Sequence, residues 1–161
     1  MNIKTDSKIK EDDGILVKWG DSYATGIDII DKQHIELINL TNELYRNCLS
    51  GDIENKFKDT LSRMVTYVRF HFSAELELLA RIKYPQYADH KKQHDSLVMN
   101  VLDAAKQFNE GKKYVPNQFV RSLKDWIFGH IAYADKVYSA YILDQKKKGL
   151  LTDQQINGTQ K

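Results

Sequence analysis

Residues 71–94 read HFSAELELLARIKYPQYADHKKQH and hold three of the five histidines in the chain. His71 is followed by Glu75, and His90 by His94, each pair four residues apart. On an α-helix that spacing puts both members of a pair on one face. Phe72, Leu79, Leu97 and Val98 recur at the same period, so the imidazoles and the carboxylate lie on the apolar stripe that a helix turns toward its core. The stretch therefore reads as the end of one amphipathic helix, a turn at Pro85 and the start of another.

The same period extends outward in both directions. It predicts four helices, over roughly 31–49, 53–82, 85–109 and 116–147. Pro85 and Pro116 stand where helices can begin, and Gly51, Gly111 and Gly149 fall between segments. His34 lies on the first stripe with Leu37, Ile38 and Leu44; His130 lies on the fourth with Trp126, Ile127, Val137 and Tyr138. No window alternates as a strand does, and the joints are short. The expected fold is all-α, an up-and-down antiparallel four-helix bundle with an N-terminal arm and a short C-terminal tail. Residues 1–13 are charged and expected to form a flexible extension. Residues 14–148 make the domain, with Ile15 to Tyr23 packing over the bundle as an arm. Residues 149–161 are expected to form a polar, flexible tail, with Lys146 to Lys148 and Gly149 closing the last helix.

Composition removes several functional classes. A chain of 161 residues, 42% hydrophobic and 29% charged, has the make-up of one globular domain. The net charge of +2, from 24 basic and 22 acidic residues, offers no electrostatic basis for binding nucleic acid or an anionic membrane. No apolar run is long enough to span a bilayer, and the first residues, MNIKTDSKIKEDDG, lack the apolar segment of a signal peptide. Cys48 is the single cysteine, so no disulfide can form within the chain. These features fit a reducing cytoplasm, the location expected here, where the sequon Asn157-Gly158-Thr159 would carry no meaning.

All five histidines fall on inward faces. One inward histidine is ordinarily a hydrogen-bonded core residue, and a His–Glu pair one turn apart is ordinarily solvated. His90 and His94 together can chelate a metal ion. His130 and Asp135 are weak in isolation, since five residues on an ideal helix turn them about 140° apart. Taken together, every helix contributes a ligand type at similar depth, and buried carboxylates pair or bind metal. Five imidazoles and two carboxylates exceed one ion. A tetrahedral zinc site takes four ligands, and Cys48 lies far along its helix from His34. Two six-coordinate ions sharing Glu75, Asp135 and one solvent-derived bridge would use the whole set and leave one position open. An imidazole-rich, carboxylate-containing set suits iron among the redox metals.

With Trp19, GIDIIDKQH ending at His34, HFSAE at 71–75, YPQYADHKKQH at 84–94 and WIFGHIAYAD at 126–135, the chain resembles the hemerythrins, specifically their bacterial single-domain kind. The resemblance covers Trp19 to Leu143. It implies that His90, His94 and His130 hold one iron, that His34 and His71 hold a second with the open position, and that Glu75 and Asp135 bridge the two beside an oxo or hydroxo group. The irons would cycle between Fe2+ and Fe3+. It also implies a ligand pocket lined by Leu37, Phe72, Trp126, Ile127 and Ile131, with dioxygen as the ligand. Leu76, Leu79 and Leu97 depart from the usual bacterial pattern, and Leu76 is expected on the exposed surface. The function so implied is reversible dioxygen binding for storage, transport or delivery by a monomer, without catalytic residues. An oxygen or redox sensor working through a protein partner, and a di-iron enzyme acting on peroxide or nitric oxide, are the alternatives. For the enzyme, no proton donor stands out near the pocket.

Overall fold

The computed structural model describes residues 13–112 and 115–158. The expected extension at 1–13 therefore lies outside the described residues except for Asp13. Over the described residues the chain is all-α, and its four long helical rods form an antiparallel bundle. Helix α1 spans Asp28–Ser50, α2 Lys58–Arg81, α3 Tyr87–Asn109 and α4 Val115–Gly129. The fourth rod continues through a π-helical turn, His130–Asp135, into α5, Lys136–Lys147. A short α6 follows at Asp153–Asn157. The first rod packs on the second and fourth, and so does the third, closing a square. No helix among the described residues is long and apolar enough to cross a membrane.

Helix α1 starts earlier than its apolar period predicts because a carboxylate anchors its entry. Asp31 accepts from the Thr25 amide and hydroxyl at 2.7 Å and from the Gly26 amide at 3.1 Å. Gly26 sits at φ 79°, in the left-handed region that favours glycine. The expected second helix, 53–82, begins instead with a separate π-helical turn, Ile53–Phe57, that seats Phe57 in the core. Pro85 precedes α3 by two residues rather than opening it. The α2–α3 turn is closed by Lys83 at φ 54°, with its amide on the Ala80 carbonyl and the Tyr84 amide on that of Leu79. Lysine there costs about 1 kcal/mol relative to a relaxed backbone.

The expectation of a flexible tail after residue 149 does not hold for 152–157. Thr152 and Gln155 form a reciprocal capping box, and Ile156 is buried. Arg81 donates to the carbonyls of Gln155 and Ile156 at 2.7 and 3.1 Å, and Lys146 pairs with Asp153.

Two apolar clusters stack along the bundle. The larger contains Leu37, Leu44, Met64, Val68, Phe72, Leu123, Ile127 and Ile131; the smaller contains Ile27, Ile30, Leu79, Ile82, Tyr138, Ile142 and Ile156. His34 lies between Ile30 and Leu37 in sequence, Glu75 between Phe72 and Leu79, and Asp135 between Ile131 and Tyr138. The polar layer is thus sealed above and below by apolar side chains.

Asn42 ties down the start of the arm. Asn42 Oδ1 accepts from the amides of Leu16 and Val17, both at 2.9 Å, and its Nδ2 donates to the Val17 carbonyl at 2.8 Å. Asn42→Ala leaves these partly buried groups without partners and should cost about 2–3 kcal/mol, read as a lower denaturation midpoint.

Candidate metal centre

The second and third rods deliver their donors by simple helical spacing. Glu75 stands one turn after His71 on α2, and His94 one turn after His90 on α3. The fourth rod does not, because His130 and Asp135 would diverge on a regular α-helix. The structure resolves this with the π-helical turn His130–Asp135, whose i→i+5 winding brings residues five apart onto one side. The expected unbroken helix over 116–147 is corrected here, at the position where the site needs two donors from one rod.

All seven residues named from the sequence converge, and every one is buried. Ligand atoms of Glu75, His90, His94, His130 and Asp135 lie within 4.8 Å of one another, as do those of His34, His71 and Glu75. The carboxylates divide between the two sets. Glu75 Oε1 faces His90 Nε2 and, at 3.2 Å, His94 Nε2; its Oε2 faces His71 and His34 at 3.5 and 3.7 Å. Asp135 Oδ1 faces His130 at 2.9 Å and His90 at 3.3 Å, while Oδ2 faces His34 at 3.0 Å. Each carboxylate therefore presents one oxygen to a three-imidazole set and the other to a two-imidazole set.

Two glutamines, which sequence reasoning missed, orient the rings. Gln33 Oε1 meets His71 Nδ1 at 2.9 Å, and Gln93 Oε1 meets His130 Nδ1 at 3.1 Å. An amide oxygen can only accept, so each Nδ1 carries the proton, and in the neutral ring Nε2 holds a lone pair directed at the centre. His130 Nε2 then faces His94 Nε2 at 3.0 Å as well as a carboxylate oxygen. The His130 lone pair is thus aimed into the cluster, where a cation would be held. His34 Nδ1 and Nε2, His71 Nε2, His94 Nδ1 and both Asp135 oxygens are buried without a hydrogen-bond partner. Such groups are costly in a core; of these, His34 Nε2, His71 Nε2 and both Asp135 oxygens face the cluster and are the ones metal cations would satisfy, so the donor set fits. The signal for the glutamines was present in sequence: Lys-Gln-His occurs at 32–34 and again at 92–94.

Burial drives the His71 imidazole down to about 4, and it lowers His94 as well, keeping both rings neutral. At His34 burial is outweighed by the facing Asp135 and Glu75 carboxylates, which lift it to about 9. Burial also opposes the charge on Glu75, but contacts from His34, His90 and His94 hold its carboxyl well below the usual range. The centre is negative enough to retain positive charge. Beside it, Tyr138 donates a hydrogen bond to Glu75 Oε2 at 3.2 Å. This buried phenol, one turn after Asp135, is a proton-bearing group that the sequence reading overlooked. Burial raises its pKa well above the ordinary value, so it stays protonated.

Of the expected pocket residues, Leu37, Phe72, Ile127 and Ile131 are buried in the larger apolar cluster, and Trp126 is half-buried against it. Phe72 stacks on His94 with ring centres 3.7 Å apart, and Trp126 on His130 at 4.8 Å. Leu79 and Leu97 are buried, whereas Leu76 is half-buried rather than exposed. Removing a ring-orienting partner is testable. Gln93→Leu should weaken metal binding about 10- to 100-fold, measured by competition with a chelator, with the helical content unchanged.

Residues 25–142 match the family model described as the hemerythrin HHE cation binding domain. A bacteriohemerythrin of Clostridium acetobutylicum is 33% identical over 128 residues, covering 74% of this chain and 96% of that protein. One from Stenotrophomonas maltophilia is 32% identical over 127 residues, covering 76% and 82%. Among solved structures, a wild-type hemerythrin superposes with a TM-score of 0.73 at 28% identity, covering 78% of this chain and 96% of that one.

Proposed function

This chain belongs to the hemerythrin family, and from that premise we propose that it binds dioxygen reversibly at a non-haem di-iron centre, for storage, transport or delivery rather than turnover. The observation that carries the reading is the division of each carboxylate between the two imidazole sets. His90, His94 and His130 would hold one iron, His34 and His71 the other, and Glu75 and Asp135 both. When bound, the iron pair supplies the electrons that dioxygen takes up and returns.

The protein's own residues define where the ligand goes and what accompanies it. The two-imidazole set has one nitrogen donor fewer than its neighbour, so the exchangeable position belongs on that side. Leu37 and Phe72 follow His34 and His71 closely in sequence, and both are buried beside the polar layer. With Ile127, Ile131 and Trp126 they form an apolar wall that keeps water from displacing the ligand. Gln33 holds His71 in the tautomer that presents Nε2. Tyr138 keeps its own proton, donates it in a hydrogen bond to Glu75 Oε2 and so steadies the shared carboxylate. A half-buried cysteine whose thiol is pushed up to about 11 leaves little thiolate for redox chemistry, which fits a reducing cytoplasm.

Anaerobic reduction followed by admission of air should produce an oxy absorption spectrum that disappears when oxygen is removed. Irreversible conversion to the diferric form in a single step would sink the carrier reading. An exposed Leu76 and a free polar tail would have offered a sensor a surface for its partner, but Leu76 is half-buried and part of the tail is docked.

A further inference from the structure

We infer that electrons enter this centre through the seam between α3 and the fourth rod, at a cleft floored by Trp126 and His130 that fits a free reduced flavin nucleotide. The inference rests on the di-iron reading above. An oxidised iron pair must regain electrons before it can bind dioxygen again, and tunnelling falls steeply with distance. Entry is therefore favoured where a ligand ring comes nearest to solvent. Among the seven ligands, His130 and His90 are the most exposed, at 4% and 3%, while His34, His71, Glu75 and Asp135 are at 0%.

Two surface clefts meet at Gln93 on this seam. One, of about 380 Å³, is lined by Lys92, Gln93, Ser96, Trp126, Gly129 and His130; the other, of about 250 Å³, reaches His90. The Trp126 indole lies nearly parallel to the His130 ring, at 8°, so a continuous π contact runs from the first cleft to a ligand. A flat aromatic donor can stack against that indole. Lys92 stands at the rim with its side chain 79% exposed, paired only loosely with Asp89 at 3.7 Å. Its ammonium can turn to a phosphate, because an exposed pair of this kind holds it weakly. The dioxygen position is assigned to the His34 and His71 set, whose rings are fully buried and do not line this cleft.

In the step proposed, the anionic reduced flavin gives up two electrons and one proton. The electrons convert two ferric ions to two ferrous ions, the proton passes to solvent, and the flavin leaves oxidised.

The test uses the diferric, full-length protein with Cys48→Ser as background. Ser96→Cys and, as control, the exposed Lys58→Cys are each modified with the same bulky neutral maleimide. Reduction by reduced flavin mononucleotide is followed anaerobically by loss of ferric absorbance. The label at position 96 should slow reduction several-fold relative to the label at 58, while the rate of dioxygen binding to the reduced protein stays the same. Equal reduction rates for the two labelled proteins would overturn the inference, as would equal slowing of reduction and dioxygen binding. Unlabelled Lys92→Gln offers a second arm. It should raise the half-saturating concentration of reduced flavin mononucleotide and leave reduction by lumiflavin, which lacks the phosphate, unchanged; no change with either donor counts against the seam. A protein that loads iron but gives no oxy spectrum would sink the dioxygen reading, while the comparison of labels would still decide the route of electrons.

Discussion

Glu75→Ala should abolish loading of two irons per chain, whereas His34→Ala should retain one. Glu75 turns Oε1 to His90 and His94 and Oε2 to His34 and His71, so its loss takes a donor from both sets at once. The remaining bridge, Asp135, would then have to hold two cations near each other alone, with their mutual repulsion less well neutralised. Tyr138 would also lose the acceptor of its buried hydrogen bond. Truncating His34 takes a single nitrogen from the two-imidazole set and leaves His90, His94 and His130 intact. Iron per chain, measured on proteins reconstituted anaerobically, separates the cases. Stoichiometric di-iron in Glu75→Ala would mean that Glu75 is a core carboxylate and no bridge.

Stripping the metal from the loaded protein should lower the thermal midpoint on the order of 10 °C. Metal that binds the native state alone stabilises it by about 4 kcal/mol when free metal exceeds its dissociation constant a thousandfold. For a chain of this size each kcal/mol moves the midpoint by about 2–4 °C. The structural reason is local. Without cations, Glu75 and Asp135 sit buried in one polar layer, and the inward Nε2 atoms of His34 and His71 and both Asp135 oxygens lack a hydrogen-bond partner. Calorimetry of loaded and stripped protein at one pH would show the shift. Identical midpoints would place these residues in an ordinary satisfied core.

The bundle and the seven buried donors were legible in the sequence because both follow from local periodicity. An imidazole on an apolar stripe is committed to the interior by its neighbours, whatever those helices later pack against. The pairs His71–Glu75 and His90–His94 need no more than the rise and turn of a helix to coincide. Family resemblance added a proposal of which imidazoles would share an ion.

Other features depend on residues far apart in sequence and were decided by tertiary structure. A regular helix would send His130 and Asp135 to different faces, and the π-helical turn that reunites them is favoured where their partners on the other helices wait. Gln33 and His71 are 38 residues apart and Gln93 and His130 are 37 apart, so the repeated Lys-Gln-His could not declare which ring each amide would hold. The last turn of chain looked like solvated tail because its composition is polar; Arg81, 74 residues before Gln155, is what docks it. Periodicity records which way a side chain faces. Which group it meets there is set by the packing of helices against one another, where long-range hydrogen bonds and shared charge outweigh local preference.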